Sequence, residues 1–430
     1  MSVKNDKIAF VFTGQGSQYE GMGKDLYETS DIARKVFETA TEVTGIDVAN
    51  LCFNTEIQEL TKTENAQLAI FVYSYAMYMD FVEKNNIRAD YLAGHSLGEI
   101  TALTCAGVFK FEDACRIVKK RGQLMGEISR NIAGSMIAVM GQNYDKVEAI
   151  CSEIREDNEV LSIANYNSDS QIVVSGCNSA IEKLLKYGED NGIKCVKVKV
   201  SAPFHSSLIS PIVESFSEEL EKYTYYSMET PVLSNVLGDF YETDMVISKA
   251  LCEHIVNPVL WKNEVTTLIE NGVGTIIEIG PGKVLKKISS NCINEYNSEG
   301  QSYEVNALSL EKDTEEVARF VKNYKSRPTL VSLCIRISVC TENKNADSSE
   351  YENEVICNYK KLTEIQTRID KNGCEPSEED MRSALDLLDK ILKAKKISDS
   401  EKAIRMNQLK DFVEDKKAIL ELINKIGEGE

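Results

Sequence analysis

The sequence is poor in basic residues, and this limits what the protein can bind. It has 49 Lys and Arg against 68 Asp and Glu, which gives a net charge of -19 at pH 7. Nucleic acids and anionic membranes attract proteins through clustered Lys and Arg, so neither is expected as the main partner. The sequence also lacks a run of about 20 apolar residues, the length that a membrane-spanning helix needs.

Paired cysteines are also missing. The 12 cysteines form no C-x-x-C pair and have no histidine at metal-ligand spacing. We expect free thiols in a reducing compartment, and the sequence implies neither a metal nor a tightly bound cofactor. The chain passes from Met1 directly into the short apolar stretch 8–12, which does not have the length of a signal peptide. A cytoplasmic protein is therefore expected.

Residues 90–108 carry the strongest chemical signal in the chain. An apolar strand pattern leads here into a helix pattern rich in small residues. Between them, Gly94-x-Ser96-x-Gly98 has the spacing of a nucleophile elbow, a tight turn that exposes a serine hydroxyl. The backbone N–H of Leu97 would lie where an oxyanion forms. A chance match in an ordinary turn is the alternative, and the strand–turn–helix context disfavours it.

Three histidines are the candidates for a base that activates Ser96. His95 lies inside the elbow, and His254 has the register of a helix-surface residue. His205 lies in the loop 201–206, directly after a predicted strand, and is therefore the best placed. A lone histidine is more often structural, so this assignment depends on Ser96.

Arg121 lies on the apolar stripe of a predicted helix, together with Ile117, Leu124 and Ile128. The guanidinium should therefore point into the protein, where it needs an anion. One alternative is a salt bridge to a buried Asp or Glu. The other is a substrate carboxylate held by two hydrogen bonds.

A glycine-rich turn at 13–18 follows the first predicted strand. It has neither the Lys-Ser/Thr pair of a phosphate loop nor the spacing G-x-G-x-x-G, so nucleotide binding is disfavoured. Gly14 and Gly16 would instead let the backbone approach a neighbouring site, to which Gln15 offers an amide donor.

The order of predicted elements indicates an α/β protein with an insertion. Residues 133–203 have the order β-α-β-β-α-β of a ferredoxin-like unit. We expect this small subdomain to be inserted into a large α/β-hydrolase-like subdomain with a parallel sheet, formed by residues 1–132 and 204–322. Residues 323–430 form a mainly helical C-terminal extension. Alternating apolar residues at 331–339 predict an edge strand there, and three helices follow at 351–371, 378–396 and 400–426.

Over residues 8–322 the sequence resembles the malonyl-CoA:acyl carrier protein transacylases. Seven motifs occur in the order seen in that family: G-Q-G-S-Q at 14–18, G-H-S-L-G-E at 94–99, K-K-R-G-Q-L-M at 119–125, A-N-Y-N-S at 164–168, A-P-F-H-S at 202–206, N-P-V-L-W at 257–261 and E-I-G-P-G-K-V-L at 278–285. The sequence looks especially similar to the discrete acyltransferases of trans-acyltransferase polyketide synthases. Enzymes of fatty-acid synthesis look similar too.

The resemblance implies a role for each catalytic candidate. Ser96 would carry the acyl group, and His205 would act as base and later as acid. Gln15 and the backbone amide of Leu97 would surround the oxyanion, and Arg121 would hold the substrate carboxylate. In the family a main-chain carbonyl orients the histidine, and the region near Asn271 is the candidate for that carbonyl.

The resemblance also implies the substrate pocket. Asn165 and His95 would line it, and the bulky ring of Phe204 would leave little room for a branched acyl group. The implied activity moves a malonyl group from malonyl-CoA to the phosphopantetheine thiol of an acyl carrier protein, with ping-pong kinetics, in polyketide or fatty-acid biosynthesis. The expected partners are thus a coenzyme A thioester and a carrier protein.

Two alternatives remain open at this point. An acyl hydrolase of the same fold would clear stalled acyl chains, but a site for uncharged chains has no use for a buried arginine at 121. A docking protein that acts through its C-terminal helices is the second alternative, and the intact set of catalytic candidates disfavours docking as its sole role.

Overall fold

The structure, a computed structural model, describes residues 7–198, 200, 202–242, 245–298, 303–372, 376–410, 413 and 416–428. The chain divides into two compact units, residues 1–318 and 319–430. Ser201 of the predicted loop and parts of the predicted helix 400–426 lie outside the described residues. No helix in the described ranges is both long and apolar enough to cross a membrane.

The strands of the first unit form two main sheets. They are β1 (Lys7–Phe12), β2 (Tyr91–Gly94), β3 (Gly134–Met140), β4 (Leu161–Ser168), β5 (Gln171–Cys177), β6 (Cys195–Lys197), β7 (Leu233–Ser234), β8 (Asp239–Phe240), β9 (Val273–Ile279) and β10 (Asn306–Ser309). The larger sheet is parallel, in the order β10-β9-β1-β2. Central parallel strands are covered on both faces, and residues 8–12 of β1 are accordingly apolar and fully buried.

Helices pack against the sheets of the first unit and connect their strands. They are α1 (Lys24–Thr29), α2 (Asp31–Thr44), α3 (Val48–Phe53), α4 (Ile57–Leu60), α5 (Thr63–Asn85), α6 (Leu97–Cys105), α7 (Phe111–Ser129), α8 (Tyr144–Ile154), α9 (Asn178–Asn191), α10 (Val213–Leu220), α11 (Ile247–Val256), α12 (Trp261–Glu270), α13 (Val284–Ser298) and α14 (Thr314–Lys325), with a 3-10 helix at Ser207–Ile212. Helices α5 and α7 pack against each other. Their buried faces carry Gln67 and Arg121 into the interior.

The smaller sheet is antiparallel, in the order β4-β5-β3-β6. With α8 and α9 it has the predicted element order β-α-β-β-α-β, and the two helices share its apolar core. The parallel sheet and this insertion confirm the predicted fold class. The subdomain boundaries themselves stay predictions.

The secondary structure of the second unit is helical in its described residues. Its helices are α15 (Leu330–Cys340), α16 (Ser348–Glu350), a π-helical turn at Tyr351–Ile356, α17 (Cys357–Asn372), α18 (Glu378–Ala394), α19 (Asp399–Lys410) and α20 (Lys417–Glu428). The predicted edge strand at 331–339 is wrong, because these residues belong to α15. The prediction of one helix at 400–426 is also wrong, since α19 and α20 occupy this range.

The error at 331–339 has a physical cause. Leu330, Cys334 and Ile337 are buried at helical spacing, whereas Val339, a member of the alternating set, is 60% exposed. Thr329 begins the helix with a capping box: its hydroxyl accepts from the N–H of residue 332, and the hydroxyl of that serine accepts from the N–H of Thr329. The apolar residues of this segment fit both the two-residue period of a strand and the 3.6-residue period of a helix, and the capping box at Thr329 favours the helix.

Candidate active site

Ser96 lies in the tight turn between β2 and α6. Its backbone has φ 53° and ψ -106°, a conformation that residues with a side chain rarely adopt. Neither flanking glycine can be replaced, because there is no space for a Cβ atom at either position. A Cβ at Gly94 would lie 2.0 Å from the backbone of Gly98, and a Cβ at Gly98 would lie 2.0 Å from the carbonyl oxygen of Phe12. The turn therefore holds the hydroxyl of Ser96 at the carboxyl edge of the parallel sheet.

His205 lies directly against this hydroxyl. Its Nε2 is 2.8 Å from Ser96 Oγ, and its Nδ1 is 3.0 Å from the backbone carbonyl oxygen of His254. A carbonyl only accepts, so Nδ1 carries the proton and Nε2 is free to accept the serine proton. Burial, followed by the charges of His254 and Arg121, holds the pKa of His205 well below its ordinary value. His205 is therefore a neutral imidazole that can act as a base.

Two sequence predictions about the surroundings of His205 are wrong. The orienting carbonyl belongs to His254 and not to the region of Asn271, whose side chain donates to the carbonyl of Thr267 at 2.8 Å. His254 itself is only 2% exposed. Leu251, His254 and Ile255 form one buried stripe of α11. The polar neighbours at 253 and 257 wrongly indicated that His254 lies on the helix surface.

Arg121 reaches Ser96 from α7. Its Nη1 donates to Gln67 Oε1 at 2.8 Å, and its Nη2 donates to Ser96 Oγ at 3.2 Å. In the part of the chain that the structure describes, no Asp or Glu forms an ion pair with this guanidinium. Burial lowers the pKa of Arg121 to about 10, so it remains charged at neutral pH. Because a buried cation needs compensating interactions, this guanidinium is a candidate for binding an anion.

A cavity of about 270 Å³ lies in front of Ser96. The predicted site residues that line it are Gln15, His95, Ser96, Arg121, Asn165, Phe204 and His205. Its other walls are largely apolar, from both sheets and from α13. The cavity thus combines one cation with an apolar lining.

Leu97 and Gln15 contribute to the site in different ways. The side chain of Leu97 is fully buried in the core, but its backbone N–H belongs to the first turn of α6, where helical N–H groups have no acceptor in the helix. Gln15 lines the cavity, and its side-chain amide donates to Thr63 Oγ1 at 3.2 Å. Its backbone N–H is therefore the better candidate for an oxyanion donor than its side chain.

His95 is a neutral member of the site. Burial lowers its pKa to about 4. Its Nε2 lies 2.9 Å from Asn167 Oδ1, which accepts a hydrogen bond from the ring. Asn165 and Phe204 are 6% and 5% exposed, and both contribute to the cavity wall. Their roles in substrate selection stay predictions.

Four residues that the sequence reasoning missed surround the predicted ones: Gln67, Glu99, Asn235 and His254. Gln67 and Asn235 interrupt stretches that are otherwise apolar, which was a usable signal of buried polar groups. Glu99 stands in the elbow motif three residues after Ser96, but nothing in its spacing shows which distant residues it contacts.

The fold and the geometry define a class of protein. A strained elbow serine, a neutral histidine at hydrogen-bond distance and a buried arginine at the edge of a parallel sheet are the features of a serine-dependent acyltransferase. Residues 9–330 match the family described as acyl transferase domain, and the chain belongs to this family.

Individual relatives are more specific. A malonyl CoA-acyl carrier protein transacylase of Bacillus subtilis is 33% identical over 401 residues, which cover 92% of this chain and 98% of that protein. The crystal structure of a malonyl CoA-acyl carrier protein transacylase from Clostridium perfringens has a TM-score of 0.67 at 35% identity, covering 74% of this chain and 98% of that chain. A malonyl-transacylase in complex with its type II PKS acyl-carrier protein has a TM-score of 0.68 at 32% identity, covering 74% and 100%. The resemblance seen in the sequence is confirmed.

Proposed function

We propose that this protein is a malonyl-CoA:acyl carrier protein S-malonyltransferase that carries the malonyl group as an ester on Ser96. One observation carries the choice of acyl group. The buried guanidinium of Arg121 lies 3.2 Å from Ser96 Oγ and is held by the neutral amide of Gln67. A malonyl thioester ends in a free carboxylate, which would supply the missing counter-ion through two charge-assisted hydrogen bonds.

The first half-reaction loads the enzyme. His205 Nε2 takes the proton of Ser96 Oγ as that oxygen attacks the thioester carbonyl of malonyl-CoA. The carbonyl of His254 holds the Nδ1–H side of the ring, so Nε2 stays aimed at the serine. When the tetrahedral intermediate collapses, the C–S bond breaks. The proton on His205 goes to the sulfur of coenzyme A, and a malonyl ester remains on Ser96.

The second half-reaction unloads the enzyme onto a carrier protein. The phosphopantetheine thiol of the carrier takes the position that coenzyme A has left, and His205 removes its proton. The thiol sulfur attacks the ester, and the serine oxygen leaves with the proton from His205. Because the donor leaves before the acceptor reacts, the kinetics are ping-pong.

Backbone donors would stabilise both tetrahedral intermediates. The N–H groups of Leu97 and Gln15 are the proposed oxyanion donors, the former at the positive end of α6. Loss of one such donor costs about 3 kcal/mol of transition-state stabilisation in comparable sites. Because both proposed donors belong to the backbone, Gln15→Ala should retain most of the loading rate.

The wider setting is part of the same proposal. The product, a malonyl carrier protein, serves polyketide or fatty-acid biosynthesis. We place the reaction in the cytoplasm, because a free carrier thiol persists in a reducing compartment. Phe204 and Asn165, in the wall of the cavity, are proposed to limit the acyl group to an unbranched malonyl chain.

Intact-mass measurement tests the proposal. The purified protein is incubated separately with malonyl-CoA and acetyl-CoA, with Ser96→Ala as the control, and a holo carrier protein is then added. We expect a malonyl adduct that requires Ser96 and moves to the carrier thiol, and little acetyl adduct. Hydrolysis of acetyl or longer thioesters without a lasting malonyl adduct would contradict the proposal and favour an acyl hydrolase.

A further inference from the structure

Glu99 is a buried carboxylate that the proposed reaction does not use. It lies in the first turn of α6, three residues after Ser96, and is 1% exposed. Its Oε2 is 2.7 Å from Nδ1 of His254. Its Oε1 accepts hydrogen bonds from the hydroxyl of Tyr241 at 2.7 Å and from the backbone N–H of Asn235 at 3.1 Å. Such a concentration of contacts on a fully buried charge needs an explanation.

One contact of Glu99 leads to the base. The ring of His254 stacks on the ring of His205, with centroids 5.1 Å apart and planes 27° apart. The same residue orients His205 through its backbone carbonyl. Within the described residues Nε2 of His254 has no hydrogen-bond partner. Among the hydrogen-bonding groups of the described residues, the carboxylate of Glu99 therefore fixes how this ring is turned.

The other contact leads to the nucleophile. Asn235, whose backbone is bound to Glu99, spans the elbow with its side chain. Its Oδ1 accepts from the N–H of Ser96 at 2.7 Å, and its Nδ2 donates to the carbonyl of Gly94 at 2.7 Å. These two bonds hold the strained backbone on both sides of the serine hydroxyl.

Several titratable groups lie around Glu99 and His254. They are His95, Arg121, His205, Tyr241 and Glu264. Burial, together with the charge of Glu99, raises the pKa of Glu264 well above its ordinary value, so Glu264 is a neutral acid. Glu99 is the carboxyl group of this cluster that contacts His254, whose ring stacks on the base His205.

We propose that Glu99 is a positioning residue that fixes the nucleophile through Asn235 and the base through His254. Glu99 touches no reacting atom. This inference rests on the proposed function, because it concerns the formation of the Ser96 ester.

The rate of ester formation tests this role. Single-turnover malonylation of Ser96 is followed over a series of malonyl-CoA concentrations, which separates the rate constant of acylation from the apparent binding of the thioester. In His254→Gln the backbone carbonyl that orients His205 remains, but the ring that stacks on His205 and contacts Glu99 is lost. We expect the rate constant to fall by about 10-fold and thioester binding to stay unchanged, because a misaligned base slows proton transfer.

Glu99→Gln completes the test. An amide then faces Nδ1 of His254 in place of a carboxylate oxygen, so the ring of His254 loses its fixed orientation. The rate constant of acylation should fall by about 10-fold here too, again with unchanged thioester binding. The double variant should fall by less than the product of the two single effects, since the two residues act as one unit.

Glu278→Gln is the matched control. Glu278 is a fully buried carboxyl of β9 that accepts from the backbone N–H groups of Leu285 and Lys286. The substitution should lower the melting temperature and leave the rate constant of acylation unchanged. If the rate constants of Glu99→Gln and His254→Gln equal that of the unchanged protein, the inference is overturned. If the unchanged protein forms no Ser96 ester from malonyl-CoA, the proposed function fails as well.

Discussion

The two units of the chain use buried polar groups for different purposes. In the second unit, Lys395 is 5% exposed, and its Nζ donates to the carbonyls of Ser338 and Thr341 at 2.7 and 2.5 Å. Asn345 similarly donates to the carbonyl of Ala394 at 2.8 Å. These carbonyls lie at helix ends, where they have no partner in the helix. These two buried polar side chains of the second unit therefore complete helices.

Around Ser96, buried polar groups are left with unused binding capacity. Arg121 is as buried as Lys395, but its bonds go to the amide oxygen of Gln67 and to the nucleophile. No helix end needs this guanidinium. A buried charge that no structural role explains therefore indicates a functional role. Arg121 and Lys395 illustrate the difference within one molecule.

Ser96→Ala should have the largest effect. Loss of the nucleophile is expected to lower malonyl loading by about 10⁴-fold or more, since no other group can carry the ester. The melting temperature should change little, because Ala at this φ is no more strained than Ser. Single-turnover loading and calorimetry measure the two quantities. A malonyl ester that persists on another residue would contradict the assignment of Ser96.

Substitution of the two buried cations should separate selectivity from stability. Arg121→Ala is expected to lower kcat/KM for malonyl-CoA by about 10²- to 10³-fold, because a desolvated charge pair with the substrate is lost. The value for acetyl-CoA, which has no carboxylate, should fall far less. Competition between the two thioesters measures the ratio.

Lys395→Met is the matched control for Arg121→Ala. It should cost about 1–3 kcal/mol of unfolding free energy, because it leaves the carbonyls of Ser338 and Thr341 without a donor. The malonyl-to-acetyl ratio should not change. A change in this ratio would show that the second unit takes part in selection.

A smaller effect is expected from cavities in the two cores. Leu388 in α18 and Leu268 in α12 are both fully buried. Their replacement by Ala should cost about 3 kcal/mol each. We expect Leu388→Ala to leave malonyl loading unchanged at temperatures where the first unit is folded, and Leu268→Ala to lower the temperature at which loading is lost. Equal loss of loading in both variants would show that the units unfold together.

The parts of the site that depend on local pattern could be predicted from the sequence. The elbow around Ser96 is a strand, a tight turn and a helix in succession, so its geometry follows from about ten residues. Arg121 was visible because a charge on an apolar stripe must be buried. The pairing of Ser96 with His205 followed from the scarcity of histidines, since only three positions had to be weighed.

Contacts between distant segments could not be predicted in the same way. The carbonyl that orients His205 belongs to His254, 49 residues further along the chain, and main-chain carbonyls have no sequence signature. The link from Glu99 to Asn235 spans 136 residues. In the second unit, residues 331–339 fit a strand and a helix alike, and only the cap at Thr329 decided between them.

The smallest expected effect is a pH dependence confined to the first unit. All three histidines of the chain lie there, at positions 95, 205 and 254. Burial lowers the pKa of His95 to about 4, against about 6.5 in the unfolded chain. Between these values the unfolded state binds a proton that the folded state does not. The free energy of unfolding of the first unit should therefore fall as the pH drops from about 6.5, by about 1.4 kcal/mol per pH unit for His95.

The second unit should respond only at lower pH. The carboxyl groups of this unit lose their charge only in stronger acid. Partial burial of Asp389 opposes its ionisation, but hydrogen bonds from Lys393 and Lys402 hold its pKa below the ordinary value. Their contribution to the free energy of unfolding is present above about pH 4 and is lost only below it.

Trp261 is the single tryptophan and lies in the first unit, so its fluorescence reports that unit while far-UV circular dichroism reports the helices of both. When the pH is lowered from 6.5 to about 5, the midpoint temperature of unfolding measured by fluorescence should fall. The circular-dichroism transition that belongs to the second unit should keep its midpoint temperature. His95→Gln should reduce the slope, and a common fall of both phases would show that the two units form one cooperative structure.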